Sequence, residues 1–271
     1  MNVNGYYPAN SILYIPHGGG PLPLLDDKGH QELLNFLYSL SSRFLSKPAA
    51  ILLISAHWEQ SVATITSGES PGLIYDYYGF PDAAYRIEYP AAGEPQLALH
   101  IANLLQKHGI PAVLDAKRGF DHGLFVPLKI LFPNADIPCL QLSLINDLNP
   151  QTHIKIGNAL ADLSKQNVLI LGSGFSFHNM AAFFADDNET AVLKNNEFQQ
   201  WLIDTCCDPD LSRQQRESRL IDWQHAPYAT YCHPRAEHLL PLHVCFGVTG
   251  GPAKLLFNGE VLGKKTCAFL W

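Results

Sequence analysis

What the sequence lacks narrows it before any motif is read. Its 18 basic and 25 acidic residues leave a net charge of −7 with no basic run, so a nucleic-acid partner is not expected. No apolar run approaches the ~20 residues of a membrane span. Met1-Asn2-Val3-Asn4-Gly5 has neither the basic nor the apolar region of a secretory leader. The six cysteines, at 139, 206, 207, 232, 245 and 267, form no Cys-x-x-Cys pair and no framework spacing; reduced thiols in a cytoplasmic protein are expected. A Gly-Lys-Ser/Thr ending and a Gly-x-Gly-x-x-Gly loop are both missing, which disfavours a nucleotide site. There is no His-Glu-x-x-His. Ser173 stands in Gly-Ser-Gly rather than in the Gly-x-Ser-x-Gly elbow of the serine hydrolases. No internal repeat and no linker is visible, so residues 1–271 are expected to form one domain.

What is present is a series of short apolar runs that each end in glycine or serine and then histidine. Ala50–Ile54 is an uninterrupted apolar run leading to Ser55-Ala56-His57-Trp58-Glu59. Such a run reads as a strand buried on both faces, as in a parallel sheet. Ile12–Ile15 leads in the same way to Pro16-His17-Gly18-Gly19-Gly20-Pro21, and Val168–Leu171 to Gly172-Ser173-Gly174 and His178. Further strands are expected at 61–66, 112–114 and 138–144. Helices are expected at 29–45, 94–108, 124–132, 150–165 and 189–206, with the polar stretch 208–220 completing a helical hairpin. Another helix starts near 239–244. His153 and His108 are expected at the surface. The chain should close with a hairpin turning at Asn258-Gly259. Residues 74–90 are too rich in aromatics, proline and glycine for a regular helix and suit either a pocket wall or a loop folded on itself. The fold expected is α/β: a single domain with a central mixed, mostly parallel sheet flanked by helices and its site at the strand carboxyl ends.

Five histidines occupy strand-end or Gly/Pro loops: 17, 57, 122, 178 and 233. One alone is more often a hydrogen-bonded structural residue. Five that the topology carries to one side of a sheet point to a metal, because neutral imidazole suits iron, zinc, copper or nickel. The ligands would come from distant loops held by a rigid scaffold.

The order of these pieces resembles the class III extradiol ring-cleavage dioxygenases (the LigB-like family), and within them the single-subunit DOPA 4,5-dioxygenase-like group. The resemblance rests on Pro16-His17-Gly18-Gly19, Ser55-Ala56-His57-Trp58-Glu59, Tyr75-Asp76-Tyr77-Tyr78-Gly79-Phe80-Pro81, Tyr89-Pro90-Ala91, Arg118-Gly119-Phe120-Asp121-His122-Gly123, Gly172-Ser173-Gly174 with His178-Asn179, and His233-Pro234-Arg235-Ala236-Glu237-His238-Leu239-Leu240-Pro241-Leu242. Where that group commonly has Ser-His-Gly-Ser-Pro, this chain is one residue longer and lacks both serines.

The resemblance implies His17 and His57 as metal ligands, with His233 in the place where other branches supply a carboxylate. It implies His178 as the acid/base residue and possible additional ligand, and His122 as a histidine of the substrate pocket that shares proton transfer. It also implies one divalent metal, Fe(II) for activity with Zn(II) able to bind, and a small catechol and O2 as partners; no subunit-specific signature appears in the sequence, so a monomer is expected by default. A zinc hydrolase and a non-enzymatic metal-binding relative are the alternatives.

Overall fold

Eight strands form one mixed sheet in the order β4-β3-β5-β2-β6-β1-β8-β7. They are β1 Ile12–Pro16, β2 Ala50–Gln60, β3 Ala63–Thr66, β4 Ala112–Asp115, β5 Cys139–Ile145, β6 Val168–Gly174, β7 Lys254–Val261 and β8 Lys264–Leu270. The computed structural model describes residues 6–44, 46–185 and 188–271; Met1–Gly5, read above for a leader, lies outside them. Helices α1 Gln31–Ser41, α2 Pro95–Lys107, α3 His122–Leu131, α4 Pro150–Ala159, α5 Met180–Phe183, α6 Glu189–Cys207, α7 Arg213–Ile221, α8 Ala229–Cys232 and α9 Leu240–Thr249 flank the sheet. None of the described helices is long and apolar enough to cross a membrane.

The centre of the sheet is parallel: β1 pairs with β6, β6 with β2, and β2 with β5. These strands carry the continuous apolar runs, and Leu13, Ile15, Ile51–Ile54 and Leu169–Leu171 are fully buried. Helices on both faces leave no polar alternation to be read in such strands. Antiparallel pairing is confined to β1–β8, β3–β5 and β7–β8. On α1, Leu33, Leu34, Leu37 and Leu40 form the buried stripe expected from helical spacing.

Three local expectations are corrected. The helix expected over 150–165 ends at Ala159, and residues 161–165 form a separate 3-10 turn. His153 is buried rather than exposed; its Nδ1 donates to the Asn149 carbonyl at 2.8 Å and its Nε2 accepts from the Ile145 amide at 3.1 Å. With both ring nitrogens paired, burial carries no hydrogen-bond loss.

The terminal hairpin turns at Leu262-Gly263 (φ 52° and 73°), not at Asn258-Gly259. Gly259 lies inside β7 because the Glu32 carboxylate comes within 2.4 Å of where a Cβ would stand, and Glu32 also accepts from the Glu260 amide at 2.8 Å. A glycine that permits close approach thus reads in the sequence like a turn glycine.

The strand carrying His57 is longer than the run that announces it. β2 continues to Gln60, and its register with β5 shifts between Ile54 and Glu59. A bulge at this point re-aims the side chains of 55–59 without ending the strand.

Candidate metal centre

The adjacent strands β2, β6 and β1 deliver histidines from the same end of the sheet. His17 directly follows β1, and its amide bonds to the Gly174 carbonyl at the end of β6. His57 stands in the bulged part of β2. His178 lies in the loop that leaves β6, and its amide donates to the Cys232 carbonyl. His122 is the first residue of α3. A fifth ring, His238, comes from the segment that precedes α9.

The rings are mutually packed. Ring centres are 4.8 Å apart for His17 and His57, 5.3 Å for His17 and His238, 4.8 Å for His57 and His238, and 3.9 Å for His57 and His122. His178 stacks on His238 at 3.4 Å. The ligand nitrogens of His17, His57 and His122 lie within 4.8 Å of one another, and a second such group joins His178, Glu237 and His238.

Hydrogen bonding fixes how four of the five rings are turned. Ser173 Oγ donates its single proton to the Gly123 carbonyl at 2.6 Å, so its contact with His17 Nδ1 at 3.0 Å is one in which Nδ1–H donates. His122 Nδ1 donates to Asp76 Oδ1 at 2.8 Å, and His238 Nδ1 to Glu237 Oε1 at 2.9 Å. His178 Nδ1 reaches the same Glu237 oxygen at 3.1 Å, and His57 Nδ1 lies 3.7 Å from Asp76 Oδ2. The Nδ1 atoms of His17, His122, His178 and His238 thus donate to acceptors, which leaves their Nε2 with the lone pair, while His57 Nδ1 faces Asp76 beyond hydrogen-bond distance. His17 and His57 turn these Nε2 atoms toward each other at 3.0 Å. Two imidazole nitrogens at that distance fit a shared cation, and carboxylates behind the rings fit the outer shell of a metal site.

The electrostatics agree. Burial first, and then the neighbouring imidazoles, depress the pKa of His17 and of His57 well below the usual histidine value. Burial and His178 together pull His238 down to about 3, against the opposing bond from Glu237. These rings are therefore neutral near pH 7, the state that ligates. Burial works to raise the pKa of Asp76 and of Glu237. The hydrogen bonds from His122, and from His178 and His238, outweigh it and hold both carboxylates ionised.

His233 does not join the cluster. Its ring packs between Phe198 and Trp223, at 5.4 and 5.9 Å between centres. Nε2 donates to the Ser176 carbonyl at 2.9 Å, and Nδ1 is buried without a partner. That is the reverse tautomer of the cluster histidines, and burial holds its pKa at about 4. The ring that arrives instead is His238, five residues on, and His122, expected as a pocket residue, stands against His57. The signal for His238 was present in the sequence: Glu237-His238 places a carboxylate beside an imidazole just ahead of an apolar helix start.

The supports of the cluster are also buried. Asp121, fully buried, accepts from Ser55 Oγ and Gln141 Nε2 at 2.8 Å and from Arg118 at 3.0 Å. Burial and the charge of Asp76 raise its pKa. It locks the start of α3, and with it His122, to β2 and β5. His30 Nε2 accepts from the Gly19 amide at 2.9 Å and fixes the glycine loop after His17.

Residues 73–90 resolve as both of the forms expected. Tyr75 and Tyr77 donate to the carbonyls of Ile87 and Ala84, so the loop is folded on itself. The Tyr77 ring also lies 5.8 Å from His122 and 5.4 Å from Phe80, which makes the loop a wall of the site. On the opposite side, a Cβ on Gly174 would stand 2.1 Å from the His238 carbonyl. Gly174→Ala is therefore expected to push the 238 segment off β6 and destabilise the fold by about 1–3 kcal/mol, with metal affinity falling in parallel. A thermal melt and metal titration of the variant check this.

The family described as the catalytic LigB subunit of aromatic ring-opening dioxygenase matches residues 12–268. The chain belongs to this family of ring-opening dioxygenases. It is 36% identical over 278 residues to Dioxygenase tasH of Hapsidospora irregularis, covering 96% of this chain and 85% of that protein. It is also 36% identical over 256 residues to 4,5-DOPA dioxygenase extradiol of Beta vulgaris, covering 90% of each. The crystal structure of an uncharacterized protein from Escherichia coli K12 superposes with a TM-score of 0.76 at 26% identity, over 95% of this chain and 98% of that one.

Proposed function

We propose that the protein is an extradiol dioxygenase that opens the ring of a DOPA-like or other single-ring catechol beside its diol, with both atoms of O2 entering a muconic semialdehyde. The observation that supports this most is the set of five mutually packed imidazoles, four of them donating Nδ1–H to an acceptor, with the Nε2 atoms of His17 and His57 3.0 Å apart. His17 and His57 would hold one divalent metal, and His238 would supply the third nitrogen. A ring bonded at ~2.0–2.1 Å would have its centre ~3.2 Å from the ion, so ligands ~90–115° apart would stand ~4.5–5.4 Å from each other. The spacings of 4.8, 5.3 and 4.8 Å among His17, His57 and His238 fit this, while 3.9 Å between His57 and His122 is too close for two ligands of one ion.

Fe(II) would be the metal that serves the reaction, since bound there it would supply redox chemistry toward the diol and O2; Zn(II) would occupy the same nitrogens without that chemistry. His122 accepts a proton from the diol at Nε2, and Asp76 behind its Nδ1 stabilises the imidazolium that forms. His178, stacked on His238 and backed by Glu237, acts as the second proton carrier: it takes the diol's other proton, and one of the two histidines' protons returns to the product as the ring opens. Tyr77 and Phe80 close the aromatic wall and exclude water.

The test is oxygen consumption by anaerobically iron-loaded protein with DOPA and simple catechols, alongside the zinc-loaded form. Uptake with iron alone and a yellow product is expected. No uptake with any catechol at full iron occupancy would overturn the reading.

A further inference from the structure

We propose that Arg235 is a positioning residue that sets the orientation of His238 and His178 through Glu237, by tying the 233–238 segment to the strand that carries His57. This rests on the dioxygenase reading of the same site. Arg235 makes a two-pronged ion pair with Glu59, Nη1 to Oε1 at 2.5 Å and Nη2 to Oε2 at 2.6 Å. Its Nη1 also reaches Glu237 Oε2 at 3.3 Å.

The Glu237 carboxylate is thereby divided. Oε2 faces Arg235, while Oε1 alone receives Nδ1 of both His238 and His178, at 2.9 and 3.1 Å. Glu59 lies two residues beyond His57 on the same strand, just after the register shift. One guanidinium thus spans from the His57 strand to the carboxylate behind two rings. A lysine has the charge but not the fork that matches two carboxylate oxygens.

Arg235 is half-exposed, its side chain 52% accessible, and Glu59 is 24% accessible. Exposed ion pairs contribute little to stability. A purely structural role therefore predicts near wild-type behaviour when the pair is removed, whereas a positioning role predicts a change at the metal with the fold intact.

The experiment compares wild type with Arg235→Gln, Arg235→Lys, Glu59→Gln and the Arg235→Gln/Glu59→Gln double variant. Each is loaded with Co(II) for its visible spectrum and with Fe(II) for turnover. Shifted Co(II) bands are expected in Arg235→Gln and Glu59→Gln, with melting temperature held. In the iron form, kcat is expected to drop ~10-fold, the low end for loss of an outer-shell partner, while KM for the catechol stays near wild type. Arg235→Lys should recover only part of both signals, and the double variant should be no worse than either single one, as members of one network behave.

Wild-type spectra and kcat in the variants would overturn the proposal. So would a raised KM at unchanged kcat, which would make Arg235 a substrate contact instead. If the wild type turns over no catechol, the dioxygenase reading falls. The Co(II) spectra then decide this inference alone: shifted bands uphold it and unchanged bands reject it.

Discussion

His238→Ala is expected to lose the bound metal and all measurable turnover, while His233→Gln keeps a full equivalent of metal and an active site. The two histidines are five residues apart, and the sequence pattern favours His233, yet their surroundings are opposite. His238 has its Nδ1 on Glu237 and its ring 4.8 Å from His57 and 5.3 Å from His17. His233 donates Nε2 to a carbonyl of its own core and stands between Phe198 and Trp223. Removing a directly bound nitrogen should exceed the roughly 10–100-fold loss typical of an outer-shell partner. Replacing His233 disturbs packing and one buried hydrogen bond, a cost of about 1–3 kcal/mol read in the melt. Metal content per chain, measured on both purified variants, separates them. Metal bound by His238→Ala and absent from His233→Gln would reverse the assignment.

Acid is expected to unfold the metal-free protein through its buried imidazoles, and bound metal should move that transition to lower pH. Burial holds His233 and His243 at about 4 and His238 at about 3. An unfolded histidine titrates near 6.5. Because these folded values are depressed, the unfolded chain binds more protons below 6.5, and stability falls as pH drops from there through the folded values. The full contribution is present above pH ~6.5 and is gone below pH ~3–4.

His243, whose neutral ring donates Nε2–H to the Leu220 carbonyl at 2.8 Å away from the cluster, would alone account for about 3 kcal/mol over that window. Glu237 adds in the same sense, since its carboxylate is held below the usual range and its contribution is lost in acid. Denaturant melts between pH 7 and pH 4, with and without added metal, check both claims. A flat stability profile in the metal-free protein would contradict them.

Much of this was legible in the chain. The continuous apolar runs at β1, β2 and β6 announced a parallel centre, and the polar residues that follow announced where the site would be. His17, His57 and His178 could be placed because each closes a strand or leaves one. The place of His238 in the cluster was less legible: Glu237-His238 hints at it, but His233 reads as the stronger loop histidine. Pro234-Arg235 follows His233 like a loop signal, but whether a loop histidine faces a crevice or a core depends on the packing of Phe198 and Trp223, residues distant in sequence. The bulge in β2 was hidden for a similar reason: register against β5 is a property of two strands. Gly259 misled because a glycine needed for the approach of Glu32 looks the same as one needed for a turn.

The most direct measurement of the central claim is the fate of oxygen in a single turnover. Iron-loaded protein is mixed with a catechol under heavy-isotope O2, and the ring-opened product is trapped and weighed by mass spectrometry before its aldehyde exchanges with water. Incorporation of both heavy atoms into one semialdehyde, absent in the zinc-loaded form, is the predicted result. A product without label, or one labelled equally by heavy water, would show that the five imidazoles serve a hydrolytic or binding site and would contradict the account.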